Sequence, residues 1–140
     1  MKSLLSVGAK HRHQMMIEQI KTVPHLYPED PHFKAMPPVF ATGFMVGMIE
    51  ITCMQMLSAC LERSEGSVGI HIDVSHEAPT PVGMLVTVSA TVRAIEGRKV
   101  TWDVVVKDEE EIIGRGTHQR FVVDLKRFIA RVQAKAKHIV

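Results

Sequence analysis

The stretch from Thr42 to Leu61 constrains this chain more than any other. It has helical character, yet Phe44, Met45, Val46, Met48, Ile49, Ile51, Met54, Met56 and Leu57 make it apolar on nearly every side. A helix apolar all round must be buried, and one flat sheet face cannot cover it. Thr42 is the expected N-cap, and the run Glu65-Gly66 closes the segment.

From Ser67 the period changes from helical to strand-like. Val68, Ile70, Ile72, Val74 and His76 alternate with Ser67, Gly69, His71, Asp73 and Ser75, which predicts a strand whose first set faces the helix. The run from Ala78 to Gly83 breaks it. A second strand follows with Met84, Val86, Val88, Ala90, Val92 and Ala94 on one face, and Glu96-Gly97 turns into a third with Val100, Trp102, Val104 and Val106 aligned. Asp108 to Glu110 turns into a fourth strand from Glu111 to Val123. Gln14 to Ile20 is expected as a short first strand. Asp124 to Lys137 is expected as an amphipathic helix with Leu125, Phe128, Ile129 and Val132 on one face.

The economical fold for these parts is of the α+β class, a curved antiparallel sheet wrapped around one long helix, in a single domain over residues 1–140. A second copy, joined sheet edge to sheet edge or helix to helix about a two-fold axis, is expected to complete the helix's cover as a homodimer or larger assembly.

Composition narrows the function classes. With 140 residues and 46% hydrophobic side chains the chain can bury a core without staples, which excludes a disordered or collagen-like class. Seventeen basic against 15 acidic residues leave a formal charge of +2, too small to point to nucleic acid. The apolar run Leu4 to Ala9 is too short for a signal peptide, and the longest apolar stretch is interrupted by Glu50, so neither secretion nor membrane spanning is expected. Cys53 and Cys60, if on one helix, are separated by about 10 Å of rise, beyond the roughly 7 Å limit for a disulfide. They read as reduced thiols of a cytoplasmic protein. Five of the 7 prolines lie between Pro24 and Pro38, so residues 22–41, with Val23, Leu26, Tyr27, Phe33 and Met36 among them, read as an irregular apolar cover.

Several polar residues sit where apolar ones would be expected. Glu50 has no Lys, Arg or His three or four positions away on its helix. It either reaches solvent at a helix edge or is a carboxylate in an apolar cleft, fit for acid or base work. His76 continues the helix-facing set of its strand. It is either a core-edge histidine bonded to backbone or, with Glu50 on the same interface, half of an acid/base pair. The Thr42 hydroxyl serves as a cap and also lies beside the free N–H groups of a helix start, a seat for an oxyanion. In Gly114-Arg115-Gly116-Thr117-His118-Gln119-Arg120 the glycines mark close approach of a ligand or of neighbouring backbone. Arg120 either pairs with an acidic side chain or receives an anionic part of a ligand. Arg98, Lys99 and the basic tail form a solvated face or a patch for phosphates. His11-x-His13 and His71-x-Asp73 have same-face spacing without further spaced ligands, so no metal is expected.

Three segments, Val39-Phe40-Ala41-Thr42-Gly43-Phe44-Met45-Val46-Gly47-Met48-Ile49-Glu50, Val74-Ser75-His76-Glu77-Ala78-Pro79-Thr80-Pro81 and Gly114-x-Gly-Thr-His-x-Arg120, closely resemble the hotdog-fold thioesterases, in particular the fluoroacetyl-CoA thioesterase-like branch. The likeness covers nearly the whole chain. It implies an acyl-CoA thioesterase with Thr42, Glu50 and His76 as catalytic residues, Gly69 holding the thioester through its backbone at a dimer interface, and Arg120 in the binding site. It further implies a dimer or dimer of dimers with active sites between subunits, no cofactor beyond the CoA thioester substrate, and a lid at 22–41 lined by Val23, Leu26 and Phe33. Met36 stands where the fluoroacetyl-specific enzyme has a phenylalanine gate, a departure that bears on selectivity. The rival class is a non-catalytic dimer that binds an acyl-CoA or a small hydrophobic ligand.

Overall fold

The structure, a computed structural model, describes residues 1–139. Its strands are β1 (Lys10–Met16), β2 (Glu65–Val74), β3 (Leu85–Glu96), β4 (Lys99–Lys107) and β5 (Ile112–Asp124), and its helices are α1 (Val23–Leu26), α2 (Pro31–Lys34), α3 (Thr42–Ser58) and α4 (Leu125–Ala136). The strands form one antiparallel sheet in the order β1-β3-β4-β5-β2, with β1 and β2 at its edges. Alternation on β3 and β4 sends Val86, Val88, Ala90 and Val92, then Val100, Trp102, Val104 and Val106, into the core as predicted, whereas Met84, before the strand, and Ala94, beyond a register shift that follows Val92, are only half-buried. There they meet Met45, Met48, Ile49, Cys53 and Leu57 of α3. Gly97, at φ +64° between the paired Glu96 and Lys99, supplies the positive φ of a two-residue hairpin. The Asp108 carboxylate closes the next turn by accepting from the N–H groups of Glu110 and Glu111.

Several expectations are corrected. The first strand is Lys10–Met16, not 14–20; Gln19–Lys21 is a 3-10 turn instead. His11 and His13, whose spacing resembled a ligand pair, both clasp the Gln55 amide. Helix α3 stops at Ser58, and Glu65-Gly66 opens β2 rather than closing the helix. Nor is α3 buried all round within one chain. One face is sealed, whereas Ile51 and Met54 are 44% and 45% exposed.

The faces of β2 differ as well. The register slips between Gly69 and His71, a bulge that places Ile70 out of step. Before the bulge the odd residues point to α3: Ser67 touches Arg120, and a Cβ on Gly69 would stand 3.0 Å from the Glu50 carboxylate. After it the even positions take over, with Ile72 opposite the buried His118. A single alternation from Val68 to His76 therefore holds only for its second half.

Residues 22–41 fold over the start of α3, tied by the isolated bridges Thr22↔Phe40 and Val39↔Pro81. Asp30 caps α2 by accepting from His32 and Phe33 N–H. Helix α4 is amphipathic as expected and capped by Asp124, but its apolar face is uncovered: Ile129 and Val132 are each 52% exposed. Among the described residues no helix is long and apolar enough to cross a membrane.

Candidate active site

Two clefts flank α3. The first, about 300 Å³, lies under the 22–41 cover and is lined by Val23, Met36, Val39, Thr42, His76 and Pro79. The N-cap of α3 is Ala41, and no side chain caps the helix. Thr42, expected as that cap, turns its hydroxyl to His76 instead, 2.7 Å from Nδ1. The first-turn N–H groups of α3 thus stay open beside that hydroxyl. His76 Nε2 is buried without any hydrogen-bond partner among the described residues, and burial lowers the imidazole pKa below its ordinary 6.5. Two proton arrangements fit the contact. If the hydroxyl donates to Nδ1, Nε2 carries the proton; if Nδ1–H donates to the hydroxyl, Nε2 is a base.

The second cleft, about 390 Å³, is lined by Val46, Glu50, Gly69, Ile70, His71, Ile72 and His118. Glu50 has a partner that helix spacing could not reveal. Arg120, arriving from β5, donates from Nη1 to Glu50 Oε2 at 2.9 Å. Arg120 is only 3% exposed and is itself fixed by Ser67, whose Oγ accepts from Nε at 2.9 Å and whose carbonyl accepts from Nη2 at 3.0 Å. Glu50 Oε1 carries no hydrogen bond among the described residues and faces the cleft. Gly69 leaves this carboxylate room, since a side chain there would crowd Glu50, His118 and Arg120 together.

His118 completes the network and was overlooked in the sequence as one member of a glycine-rich strand. Its Nδ1 donates to the His71 carbonyl at 2.8 Å, and its Nε2 accepts from Arg120 Nη1 at 3.3 Å. A carbonyl only accepts and a guanidinium only donates, so the ring is neutral with its proton on Nδ1. Burial, the largest cause, keeps its pKa low and the Arg120 charge adds to this, against the His71 hydrogen bond. The signal was available: His118 and Arg120 are two apart on one strand and share a face. Nearby burial also pushes the Cys53 thiol up to about 12, leaving it an inert core group.

The geometry thus separates the pair that the sequence reading placed side by side. Glu50 and His76 share no hydrogen bond, and Thr42 and Glu50 stand eight residues, about 12 Å, apart along α3. The glycines of β5 serve backbone rather than ligand: a Cβ on Gly114 would lie 2.5 Å from the Ser75 carbonyl, and one on Gly116 would overlap the Asp73 carbonyl. Of the residues expected to line a lid, Val23 and Met36 reach the first cleft; Leu26 packs over Gly43, and the Phe33 ring leans at 49° on Tyr27, centroids 5.3 Å apart.

Comparison with known proteins sets this geometry in a family. Residues 25–126 match the family model described as fluoroacetyl-CoA-specific thioesterase. The chain is 47% identical over 135 residues to the fluoroacetyl-CoA thioesterase of Streptantibioticus cattleyicolor, covering 96% of this chain and 97% of that one. A crystal structure of the fluoroacetyl-CoA thioesterase FlK superposes with TM-score 0.92 at 46% identity, covering 94% of this chain and 97% of that one. A phenylalanine-to-alanine mutant of FlK in complex with fluoroacetate and CoA superposes with TM-score 0.87 at 47% identity, covering 89% and 99%. A thioesterase-superfamily protein of Thermus thermophilus, 22% identical over 96% and 98% of the two chains, shares the fold with TM-score 0.83. A long helix laid in a curled five-stranded sheet is therefore the hotdog architecture, and the chain belongs to the fluoroacetyl-CoA-specific thioesterase family.

Proposed function

We propose that this protein hydrolyses short-chain acyl-CoA thioesters to the free acid and CoA, with Thr42, Glu50 and His76 as its catalytic residues. The observation that supports this best is His76, held by Thr42 at Nδ1 while Nε2 is buried without a partner. An unpaired buried nitrogen is costly in a merely structural role, but is what a proton shuttle needs before its substrate arrives.

The chemistry divides among the residues. The acyl carbonyl sits at the open N-terminal turn of α3, where backbone N–H groups and the Thr42 hydroxyl stabilise the developing oxyanion. Glu50, its Oε2 fixed by Arg120, uses the free Oε1 either to take a proton from the attacking water or to attack the carbonyl itself. The carbon–sulfur bond breaks, and the departing CoA sulfur takes its proton from His76. One water is consumed on either route: it adds to the thioester carbonyl directly, or it hydrolyses the mixed anhydride and returns the Glu50 carboxylate. The thioester is already an activated acyl group, so the route calls for no cofactor.

Because the two clefts stand apart on α3, the site is assembled between two copies, Glu50 of one protomer completing the Thr42–His76 cleft of its partner in a homodimer or a dimer of dimers. The exposed Ile51 and Met54 of α3 and Ile70 of edge strand β2 provide apolar surface for that contact. Gly69 and Arg120 hold the thioester end and the carboxylate, and residues 22–41 form the lid, with Val23 and Met36 nearest the acyl group. Met36, 49% exposed and flexible, replaces an aromatic gate with one that discriminates less between fluoroacetyl and acetyl groups. Buried, reduced Cys53 and Cys60 suit a cytoplasmic location.

The test is thiol release from acetyl-, fluoroacetyl- and longer acyl-CoAs by the wild type, Glu50→Gln and His76→Ala. The wild type is expected to turn over the short esters fastest and both variants to fall by orders of magnitude. Wild-type turnover no faster than that of the variants would refute the enzyme reading in favour of a binding protein.

A further inference from the structure

The largest concavity described lies outside both clefts. It holds about 530 Å³ between α4 and the outer face of β5, and is walled by Arg98, Phe121, Asp124, Arg127, Phe128 and Arg131. Phe121 follows Arg120 on the strand, so its ring points away from the α3 side. The geometry points to a binding site for a phosphorylated purine nucleoside: guanidinium groups for the phosphates and two open rings for the base.

The charges favour an anion. Arg127 and Arg131 stand four apart on α4, where like charges repel, and neither has an ion-pair partner among the described residues. Arg98, from the β3–β4 turn, gives Nη1 to Glu65 at 2.9 Å yet remains 48% exposed. Glu65 is already engaged by the terminal ammonium and the Glu62 N–H, which with Arg98 hold its carboxyl down to about 2. The one carboxylate of the wall, Asp124, is turned to the helix end, accepting from Arg127 N–H at 3.0 Å. Two unpaired guanidinium groups and a third shared with Glu65 thus face the space, against one wall carboxylate that caps α4. A planar fork of donors matches phosphate oxygens in pairs.

The rings narrow the class. Phe121 and Phe128 are 39% and 37% exposed, and neither is paired with another aromatic ring among the described residues. Inorganic phosphate would leave both rings in water, and an apolar ligand would leave the arginines unanswered. A nucleotide satisfies both, with its base stacked on a ring and its phosphates on the guanidiniums. The nucleotide comes either from the phosphoadenosine end of a CoA ester or from a free adenine nucleotide; only the first source rests on the thioesterase reading.

Calorimetric titration of the full-length protein with adenosine bisphosphate, adenosine and inorganic phosphate tests this. No residue of α4 is buried, so Arg127→Ala/Arg131→Ala leaves the core intact, and circular dichroism confirms folding. The bisphosphate is expected to bind the wild type, to weaken with added salt, and to bind the double variant at least about tenfold more weakly. Phe128→Ala is expected to remove the advantage of the bisphosphate over inorganic phosphate. No wild-type binding at millimolar nucleotide, equal binding by the double variant, or inorganic phosphate bound as well as the nucleotide would overturn the site. Turnover of acetyl-CoA against acetyl-pantetheine separates the sources. In the double variant a KM raised for acetyl-CoA alone supports the substrate's own nucleotide, and unchanged KM values with lost nucleotide binding support a free one. Failed nucleotide binding leaves the thioesterase reading standing, and failed turnover leaves the nucleotide site standing.

Discussion

The Thr42–His76 cleft and the Glu50–Arg120 cleft lie on one helix but are built in opposite ways. In the second, Arg120 has Ser67, His118 and Glu50 around it, and each of its three guanidinium nitrogens is hydrogen-bonded. In the first, one hydrogen bond joins Thr42 to His76, a buried nitrogen lacks a partner and the helix start is uncapped. One half is closed on itself, and the other keeps polar groups open among the described residues. A satisfied network fixes the position of one carboxylate, whereas groups left open keep the capacity to bond something brought to them.

The largest loss of activity is expected at the open half. His76→Ala removes a ring with one hydrogen bond, so the fold should persist while turnover falls by about 10² to 10⁴, as expected for lost acid–base help. A fall below tenfold, measured as thiol release at saturating acetyl-CoA, would make His76 structural. The closed half should answer in the other currency. Arg120→Met strands the Ser67 carbonyl and the Glu50 carboxylate, and urea unfolding should register a loss of about 2–4 kcal/mol. A loss under about 0.5 kcal/mol would mean that the network holds nothing.

Smaller effects sharpen the contrast. Met36→Phe alters a half-exposed side chain at the mouth of the open cleft. Stability should move by less than about 0.5 kcal/mol, while kcat/KM for fluoroacetyl-CoA relative to acetyl-CoA should rise by about tenfold; an unchanged ratio would exclude position 36 as the gate. The weakest lever is pH. His76 and His118 both have pKa values lowered by burial, so the unfolded chain binds more protons than the native one as pH falls through 6.5. The stability they contribute is complete above that pH and declines below it, toward their lowered native values. Tm should therefore drop on acidification, and His118→Gln should flatten the drop; an identical pH profile for the variant would remove His118 from the account.

How much of this was legible in sequence depended on the range of the interaction. β3 and β4 could be read because alternation is a local property, set residue by residue by the pleat. β2 misled because a bulge at Ile70 changes which side chains face in without changing composition. Thr42, Glu50 and His76 could be singled out as polar residues in apolar surroundings, and the resemblance assigned their roles. What could not be read was their pairing: helix spacing says nothing of an arginine arriving from a strand 70 residues later. The same limit made Glu50 and His76 look adjacent, since both face α3's interface yet stand at different levels along it.

If Glu50 of one protomer serves the Thr42–His76 cleft of another, mixing two inactive variants restores activity. Glu50→Gln and His76→Ala are each expected to be inactive alone. Mixed, unfolded and refolded together in equal amounts, they should regain about a quarter of the wild-type activity per site, because half of the dimers are hybrid and one of the two sites in each hybrid is intact. A mixture no more active than its separate components would contradict the account and place the whole site within one chain.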